Sequence, residues 1–291
     1  MRKVEEEALS RRRPRFLQTL SRERERVFFA LRQAKTKVGD TIERIDVAGI
    51  PCMAVSNAAA RLPSPLWSDV AIAVLAVGAI AGASLGATGT TDGWHWLHWV
   101  CKPLTTLLIL GMTLRAEPPV SPRYRRWMVV GMLFSLAGDV FLMLPQDAFV
   151  PGLVAFLIAH ACFIKAFLDD SRFAERPLGM LACVAYGALN LWALWPSLPA
   201  ALYAPVVVYV LVLAGMGGQA VVRARRHAAD ALTRSSQWAM TGALLFMLSD
   251  TLLAWNRFRV ALPLSALWVL ATYYAALWCL ARSVQRSGQA A

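Results

Sequence analysis

Four ionisable residues lie inside long apolar stretches of this 291-residue sequence: Lys102, Asp139, His160 and Asp250. An ionisable side chain near the centre of a bilayer costs several kcal/mol, so a residue kept there usually serves a function. At about 1.5 Å per helical residue, all four fall in one layer within roughly 6 Å of the bilayer centre. We therefore expect these side chains to line one pocket.

The two aspartates have matching surroundings. The pattern G-x-L-x5-D-x2-L occurs twice, at 131–142 and at 242–253. A small residue precedes each acid, Gly138 and Ser249, which permits close approach of a neighbouring helix. The repeat favours a fold with two parallel halves, each containing four spans.

Paired carboxyl groups in a cavity of low dielectric constant can divide acid and base roles. Burial and mutual repulsion favour the neutral form of one, which can donate a proton near neutral pH, while the other stays ionised. This arrangement suits reactions through an oxocarbenium-like cation, including the hydrolysis of acetals and enol ethers. At this point the residues leave both hydrolysis and proton-coupled transport open.

The remaining candidate residues each have two interpretations. Lys102 either forms an ion pair that keeps an aspartate ionised or contacts an anionic group of a substrate. His160 is either a hydrogen-bonded packing residue or part of the site. Arg257 and Arg259 either extend to the membrane interface or bind a phosphate, whose oxygens suit the guanidinium group.

Two uncharged residues complete the predicted substrate-binding set, Tyr209 and Asn256, as polar side chains that would line the pocket. A zinc site needs three or four well-spaced ligands. The histidines at 95, 98, 160 and 227 do not supply a recognisable set, and we place His95 and His98 at the membrane interface. We therefore expect no metal ion.

The elements that position these residues are eight predicted transmembrane helices. The sequence is 57% hydrophobic and 16% charged, whereas a soluble domain of this size carries roughly 25% charged residues. Each apolar segment is long enough for a hydrocarbon core of about 30 Å. This composition excludes an ordinary soluble enzyme and a disordered regulator, and predicts an all-α polytopic bundle. The segments are 67–88, 94–114, 126–144, 149–168, 177–195, 200–222, 236–256 and 261–282.

The net charge is +12, and the basic residues that produce it lie mainly between the apolar segments. We interpret them as signals of orientation in a membrane and therefore expect no nucleic-acid partner. Arginines cluster in the connections 115–126, 169–176 and 223–235, whereas 89–93, 145–148 and 196–199 contain no Lys or Arg. By the positive-inside rule, both termini lie in the cytoplasm of a multi-pass cell-membrane protein. Arginine greatly outnumbers lysine, which is typical of high-GC bacteria and favours a bacterial inner membrane.

Three regions follow from this pattern. Residues 1–66 form a basic cytoplasmic extension, either disordered or amphipathic, that is attracted to anionic lipid. An alternative is that translation starts at Met53, just before the first span. Residues 67–282 form the eight-helix membrane domain, and 283–291 form a cytoplasmic tail. The oligomeric state is left open.

Four motifs in the same order and on corresponding spans resemble the YhhN-like lysoplasmalogenase family. The resemblance covers about 67–282 and excludes the N-terminal extension. Two positions depart from the family pattern: Phe163 stands where a tyrosine is frequent, and Leu277 stands where a glutamine is common. The motifs are Lys102-Pro103, Gly138-Asp139, F-x2-G-L-x2-F-x3-H over 149–160, and G-A-L-L-F-M-L-S-D-T-L-L-A over 242–254.

The resemblance implies a membrane hydrolase that cleaves the sn-1 vinyl ether of lysoplasmalogen to a fatty aldehyde and glycerophosphoethanolamine or glycerophosphocholine. It implies Asp139 and Asp250 as the catalytic residues, without a metal or cofactor. Lys102, Arg257 or Arg259 would hold the phosphate of the lysophospholipid. The alternative is a proton-coupled lipid transporter or small-molecule sensor that uses the same acids. A zinc-dependent lipid amidase would need a histidine cluster that the sequence lacks.

Overall fold

The computed structural model describes residues 65–86, 93–144, 148–175 and 177–286. Most of the predicted extension 1–66, and residues 287–291 of the predicted tail, lie outside the described residues. The described chain forms eight α-helices, and two 3-10 turns, Trp195–Ser197 and Ala200–Leu202, join the fifth to the sixth. The helices are α1 (Pro65–Gly86), α2 (Trp94–Leu114), α3 (Pro122–Met143), α4 (Phe149–Phe167), α5 (Pro177–Leu194), α6 (Tyr203–Arg226), α7 (Thr233–Phe258) and α8 (Ser265–Arg282).

The helices from α1 to α7 are long and apolar enough to cross a membrane. An all-α polytopic membrane bundle is therefore the architecture of the described chain. The last helix, α8, contains Thr272, Tyr273, Tyr274 and Arg282 and does not meet the same requirement of length and apolar character. It nevertheless packs against α1, α2, α3 and α7. Its place as an eighth span stays a prediction.

Helix ends differ from the predicted spans by up to four residues. The third helix begins at Pro122 because proline suits the first helical turn and the Ser121 hydroxyl accepts a hydrogen bond from the Tyr124 amide at 3.0 Å. The sixth helix continues to Arg226 and the seventh to Phe258. Several arginines that we assigned to connections therefore lie on helix ends, where long side chains can reach polar surroundings.

Consecutive helices pack in pairs, α1 with α2, α3 with α4, α5 with α6, and α7 with α8. Contacts of α4 with α6 and of α2 with α8, together with those of α2 with α3 and of α6 with α7, then join the pairs into one bundle. Small residues allow the closest approaches. A methyl group at Gly242 would lie 2.8 Å from the Ala276 carbonyl oxygen, so α7 and α8 come together only because this position has no side chain.

A buried ion pair joins the helix ends at the predicted cytoplasmic side. The Arg223 side chain is fully buried and donates two hydrogen bonds of 2.7 Å to the Asp170 carboxylate. Its guanidinium carbon also lies 4.6 Å from the centre of the Tyr124 ring. Beside it, His227 donates to Asp230 at 2.7 Å, and this hydrogen bond lowers the pKa of the Asp230 carboxyl. The cluster fastens α3, α4 and α6 together.

Candidate active site

A cavity of about 260 Å³ lies inside the bundle, between residues of α1, α2, α3, α4, α7 and α8. It brings together three of the four ionisable residues that the sequence placed in one layer. A cavity with convergent polar groups in an otherwise apolar bundle is the usual form of a small-molecule site. The polar residues that line it are His98, Lys102, Asp139, Ser249, Asp250, Asn256, Arg257, Ser265 and Tyr273.

Asp139 is buried and surrounded by hydrogen-bond donors and a cation. Its Oδ2 atom accepts from the Thr106 hydroxyl at 2.8 Å and from the Tyr273 hydroxyl at 2.7 Å. The Lys102 ammonium lies 3.5 Å from Oδ1. A carboxylate with two hydroxyl donors and a positive charge within 4 Å is stabilised in its ionised form. These three contacts offset part of the cost of burying an ionised carboxylate.

Asp250 has fewer polar partners. The Tyr209 hydroxyl donates to its Oδ2 atom at 2.5 Å. The nearest basic side chain among the described residues is His160, whose Nε2 lies 3.8 Å from the same oxygen, beyond hydrogen-bonding distance. The other residues that line both adjoining cavities are apolar: Leu142, Phe149, Phe156 and Leu253. No cation within 4 Å of Asp250 occurs among the described lysines and arginines.

His160 lies behind Asp250 and does not line the cavity. Its ring is fully buried, and neither ring nitrogen has a hydrogen-bond partner in the described chain. It packs edge-to-face against the Tyr209 and Phe246 rings, with centroid separations of 5.4 and 4.7 Å. The position of His160 therefore permits an effect on substrate through Asp250 rather than by direct contact.

Aromatic rings connect the surroundings of the two acids. Phe246 contacts Tyr273 at a centroid distance of 5.4 Å and His160 at 4.7 Å, both edge-to-face. Phe156 contacts Phe246 and Tyr273 in the same manner. Such pairs are favourable beyond the area that they bury. The packed rings hold the Tyr273 side chain in the position from which its hydroxyl donates to Asp139.

The small residues before the aspartates act locally as the sequence indicated. A methyl group at Gly138 would lie 2.6 Å from the Phe156 ring, so glycine lets that ring pack beside Asp139. The Ser249 hydroxyl donates to the Val269 carbonyl of α8 at 3.0 Å. Each acid is thus placed by a close contact of its own helix with a neighbour.

The other predicted substrate-binding residues lie near the α7–α8 connection. Asn256 and Arg257 line the cavity, and the Arg257 guanidinium stacks 4.5 Å from the centre of the Phe149 ring. The Asn256 Oδ1 atom accepts a hydrogen bond from the Leu262 amide at 3.0 Å. Arg259 is exposed, donates to the Ser197 hydroxyl at 3.2 Å and does not line the acid cavity.

Sequence reasoning missed Thr106 as a partner of Asp139 and His98 as a lining residue. Thr106 lies four residues after Lys102, so the two side chains share one face of α2. That spacing was the available signal. The His98 Nδ1 atom donates a hydrogen bond to the Ala79 carbonyl oxygen at 2.9 Å, and the side chain also lines the cavity rather than the interface alone.

A second cavity adjoins the first and is almost entirely apolar. It has a volume of about 80 Å³ and lies between α5, α6 and α7, with contributions from α3 and α4. Tyr209 lines it. Five residues line both cavities, so the two spaces meet beside the Asp250 side chain: Leu142, Phe149, Phe156, Asp250 and Leu253. In the described part of the chain, no three His, Cys, Asp or Glu side chains converge as a metal site requires.

The fold and the site define a polytopic helical membrane protein with two acidic residues in an internal cavity. The YhhN family model matches residues 97–284, and the chain belongs to the YhhN family. The predicted family is confirmed.

Curated relatives carry a shared name. The chain is 36% identical over 188 residues to Lysoplasmalogenase TMEM86B of Sus scrofa, covering 64% of this chain and 74% of the relative. It is 32% identical over 201 residues to Lysoplasmalogenase TMEM86B of Homo sapiens, covering 67% and 79%. A Lysoplasmalogenase of Mycobacterium tuberculosis is 38% identical over 144 residues, covering 47% and 51%. The chain thus spans about half the length of this bacterial relative. No solved structure matches the chain.

Proposed function

We propose that this protein is an integral membrane lysoplasmalogenase. It would hydrolyse the sn-1 vinyl ether of lysoplasmalogen to a fatty aldehyde and glycerophosphoethanolamine or glycerophosphocholine. Membership of the YhhN family and the names of the relatives support an ether hydrolase. The observation that carries the proposal is that two aspartates in unlike surroundings line one cavity.

The surroundings favour different roles for the two acids. Asp139 accepts two hydrogen bonds and lies beside Lys102, which suits a permanent carboxylate. Asp250 lies at an apolar boundary with one hydroxyl donor among the described residues, which suits the neutral acid. Environments that separate two carboxyl groups in this way assign the acid and the base. Asp250 is therefore the proposed general acid.

The reaction begins with proton transfer from Asp250 to the β-carbon of the vinyl ether. The π electrons form the new C–H bond, and the α-carbon becomes an oxocarbenium ion. The Asp139 carboxylate stabilises this cation and orients a water molecule. Water adds to the α-carbon and gives its proton to Asp139, which produces a hemiacetal.

Collapse of the hemiacetal restores both acids. Asp139 returns its proton to the glycerol oxygen, the bond from that oxygen to the α-carbon breaks, and the hemiacetal hydroxyl gives its proton to Asp250. The products are a fatty aldehyde and the glycerophospho-alcohol. Each proton is accounted for by the two carboxyl groups and water, so the steps use neither metal nor organic cofactor.

Polar residues near the α7–α8 connection are the proposed binding site for the headgroup. Asn256 and Arg257 line both the acid cavity and an open depression beside it, which Ser197 also lines. Arg259 contacts Ser197 and adds a second guanidinium at the same place. Lys102 is engaged with Asp139, so its proposed role is to hold that carboxylate, and His160 and Tyr209 support Asp250.

The proposed membrane arrangement has eight spans in two parallel halves, with both termini in the cytoplasm of the cell membrane. The membrane domain would cover 67–282, with the N-terminal extension and the tail on the cytoplasmic side. Helix contacts support the two halves. Asp139 on α3 is held by α2 and α8, and Asp250 on α7 is held by α6 and α4, as an exchange of α1–α4 with α5–α8 requires.

Aldehyde release from the purified full chain tests the proposal. A lysoplasmalogen should give aldehyde at a rate proportional to enzyme, whereas an ester-linked lysophospholipid with the same headgroup should give none. Failure of folded protein to release aldehyde would reject the hydrolase. Proton uptake driven by lysolipid in sealed vesicles, without aldehyde, would instead establish the transporter.

A further inference from the structure

The cavity between α5, α6 and α7 is lined mostly by apolar side chains, which the proposed acid–base reaction does not require. Leucine, valine, phenylalanine and alanine supply most of its walls, and Asp250 is the one acidic residue among those described that line it. Leu191 and Leu194 contribute from α5, Val210 and Leu213 from α6, and Ala254 from α7. Apart from Asp250, the wall offers no charged group to a ligand.

We propose that this cavity binds the part of a single unbranched alkenyl chain that adjoins the vinyl ether, and so determines which chains are cleaved. The inference rests on the proposed function, because it names the binding position of one part of that substrate. The second cavity meets the acid cavity at Asp250. A chain in the apolar cavity and a headgroup in the polar one would place the bond between them beside both aspartates.

The size of the cavity limits how much of the chain it holds. Its volume is about 80 Å³, and a water-sized group occupies roughly 10–15 Å³ on the same measure, so there is room for roughly six such groups. A methylene is close to a water molecule in volume. The cavity therefore accepts the first several carbons, and the rest of a long chain continues toward the lipid.

The rest of the alkenyl chain would leave the cavity beside helix α5. Its far side carries exposed apolar residues, including Leu181, Leu189 and Trp192, as expected for a lipid-facing helix. Most of its contacts are with α6, and those with α7 are few. An alkenyl chain that passes beside α5 would lie among apolar residues apart from two hydrogen-bonded pairs that join α5 to α7, Tyr186 with Thr251 and Asn190 with Trp255.

Ala254 offers a direct test because it lies four residues after Asp250 and lines the apolar cavity but not the acid cavity. Ala254→Phe adds a ring inside this space. We expect kcat/KM for a long-chain lysoplasmalogen to fall by at least about tenfold, as substitutions in apolar pockets do. An ethenyl ether with the same headgroup, which has no carbon beyond the vinyl group to place in this space, should lose less than about threefold. Ala185→Phe is the matched control, since it adds the same ring to the exposed face of α5.

Equal losses for the long-chain substrate and the ethenyl ether, or no loss for either, would overturn the inference while leaving the hydrolase intact. A binding measurement separates the two proposals further. A saturated alkyl-ether lysophospholipid with a photoreactive diazirine near the ether cannot be hydrolysed as a vinyl ether. It should label Leu191, Leu213 or Met247, which line the cavity, whether or not the protein releases aldehyde. Labelling restricted to Leu181, Leu189 and Trp192 would overturn the chain site.

Discussion

The surroundings of Asp139 and Asp250 differ although the two acids occupy corresponding positions of one repeat. Asp139 accepts hydrogen bonds from Thr106 and Tyr273 and lies 3.5 Å from the Lys102 ammonium. Asp250 accepts one hydrogen bond from Tyr209, with His160 at 3.8 Å. The same carboxyl group is therefore placed once beside a cation and once beside aromatic and aliphatic groups.

The difference shows that identical residues in one repeated sequence pattern can have unlike surroundings. In the proposed arrangement of two halves, the helices that hold each aspartate correspond, but the residues that they present do not. Where α2 supplies Lys102 and Thr106, α6 supplies Tyr209; where α8 supplies Tyr273, α4 supplies His160. In the proposed mechanism, these few differences on neighbouring helices separate the roles of the two carboxyl groups.

Removal of either acid should have the largest effect. Asp139→Asn and Asp250→Asn keep the shape of the side chain but cannot exchange the protons that the reaction requires. Aldehyde release from lysoplasmalogen should fall by roughly 10²- to 10⁴-fold in each variant. The control is Asp69→Asn on α1, which breaks hydrogen bonds to Trp278 and Arg282 away from the cavity and should retain activity. Full activity of either site variant in folded protein would contradict the mechanism.

Loss of the charge beside Asp139 should have the next largest effect. Lys102→Met removes the ammonium at 3.5 Å, and kcat should fall roughly 10- to 100-fold with little change in KM. Lys102→Arg keeps the charge and should recover part of kcat. Steady-state kinetics decide between the two roles of this lysine: a rise in KM with unchanged kcat would show that it binds the phosphate instead.

Removal of the tyrosine hydroxyl that donates to each aspartate should have a smaller effect on kcat, and the effect should differ between the two aspartates. Tyr209→Phe removes the one hydroxyl that the described structure places on Asp250, and kcat should fall about tenfold. Tyr273→Phe leaves Asp139 with Lys102 and Thr106, so its loss should be nearer to about threefold. Parallel measurements of kcat on the two variants check this order. The reverse order would remove the basis for the assigned roles.

His160→Phe should have the smallest effect on activity. Phenylalanine keeps the edge-to-face packing against Tyr209 and Phe246, and it replaces a buried ring that has no hydrogen-bond partner in the described chain. We expect unchanged KM, a loss in kcat of about fivefold or less, and a melting temperature no lower than that of the wild type. A raised KM would show that the histidine contacts substrate.

The sequence was informative about the bundle and about its acids for a physical reason. Long apolar segments and unfavourable charges inside them are strong signals in a membrane, because lipid cannot solvate either a free backbone or an ion. Asp139, Asp250 and Lys102 were identified on that ground alone and line one cavity. The family was identified from four motifs and is confirmed by the match over 97–284.

Other features depended on packing that the sequence does not encode locally. Helix ends are determined by capping, so α3 begins at Pro122 behind Ser121 rather than where the apolar segment begins. The hydrogen bond from Tyr273 to Asp139 joins residues 134 positions apart. The apolar cavity could not be predicted from the sequence for a similar reason. Its walls come from five helices, and in the sequence its lining residues look like ordinary lipid-facing or core positions.

The central claim is that Asp250 carries a proton in the resting protein and Asp139 does not. Infrared difference spectroscopy of the purified protein near neutral pH measures this directly through the C=O stretch of a protonated carboxyl group. The account predicts a band of this type that disappears in Asp250→Asn and persists in Asp139→Asn. A band that is lost in Asp139→Asn and retained in Asp250→Asn would contradict it.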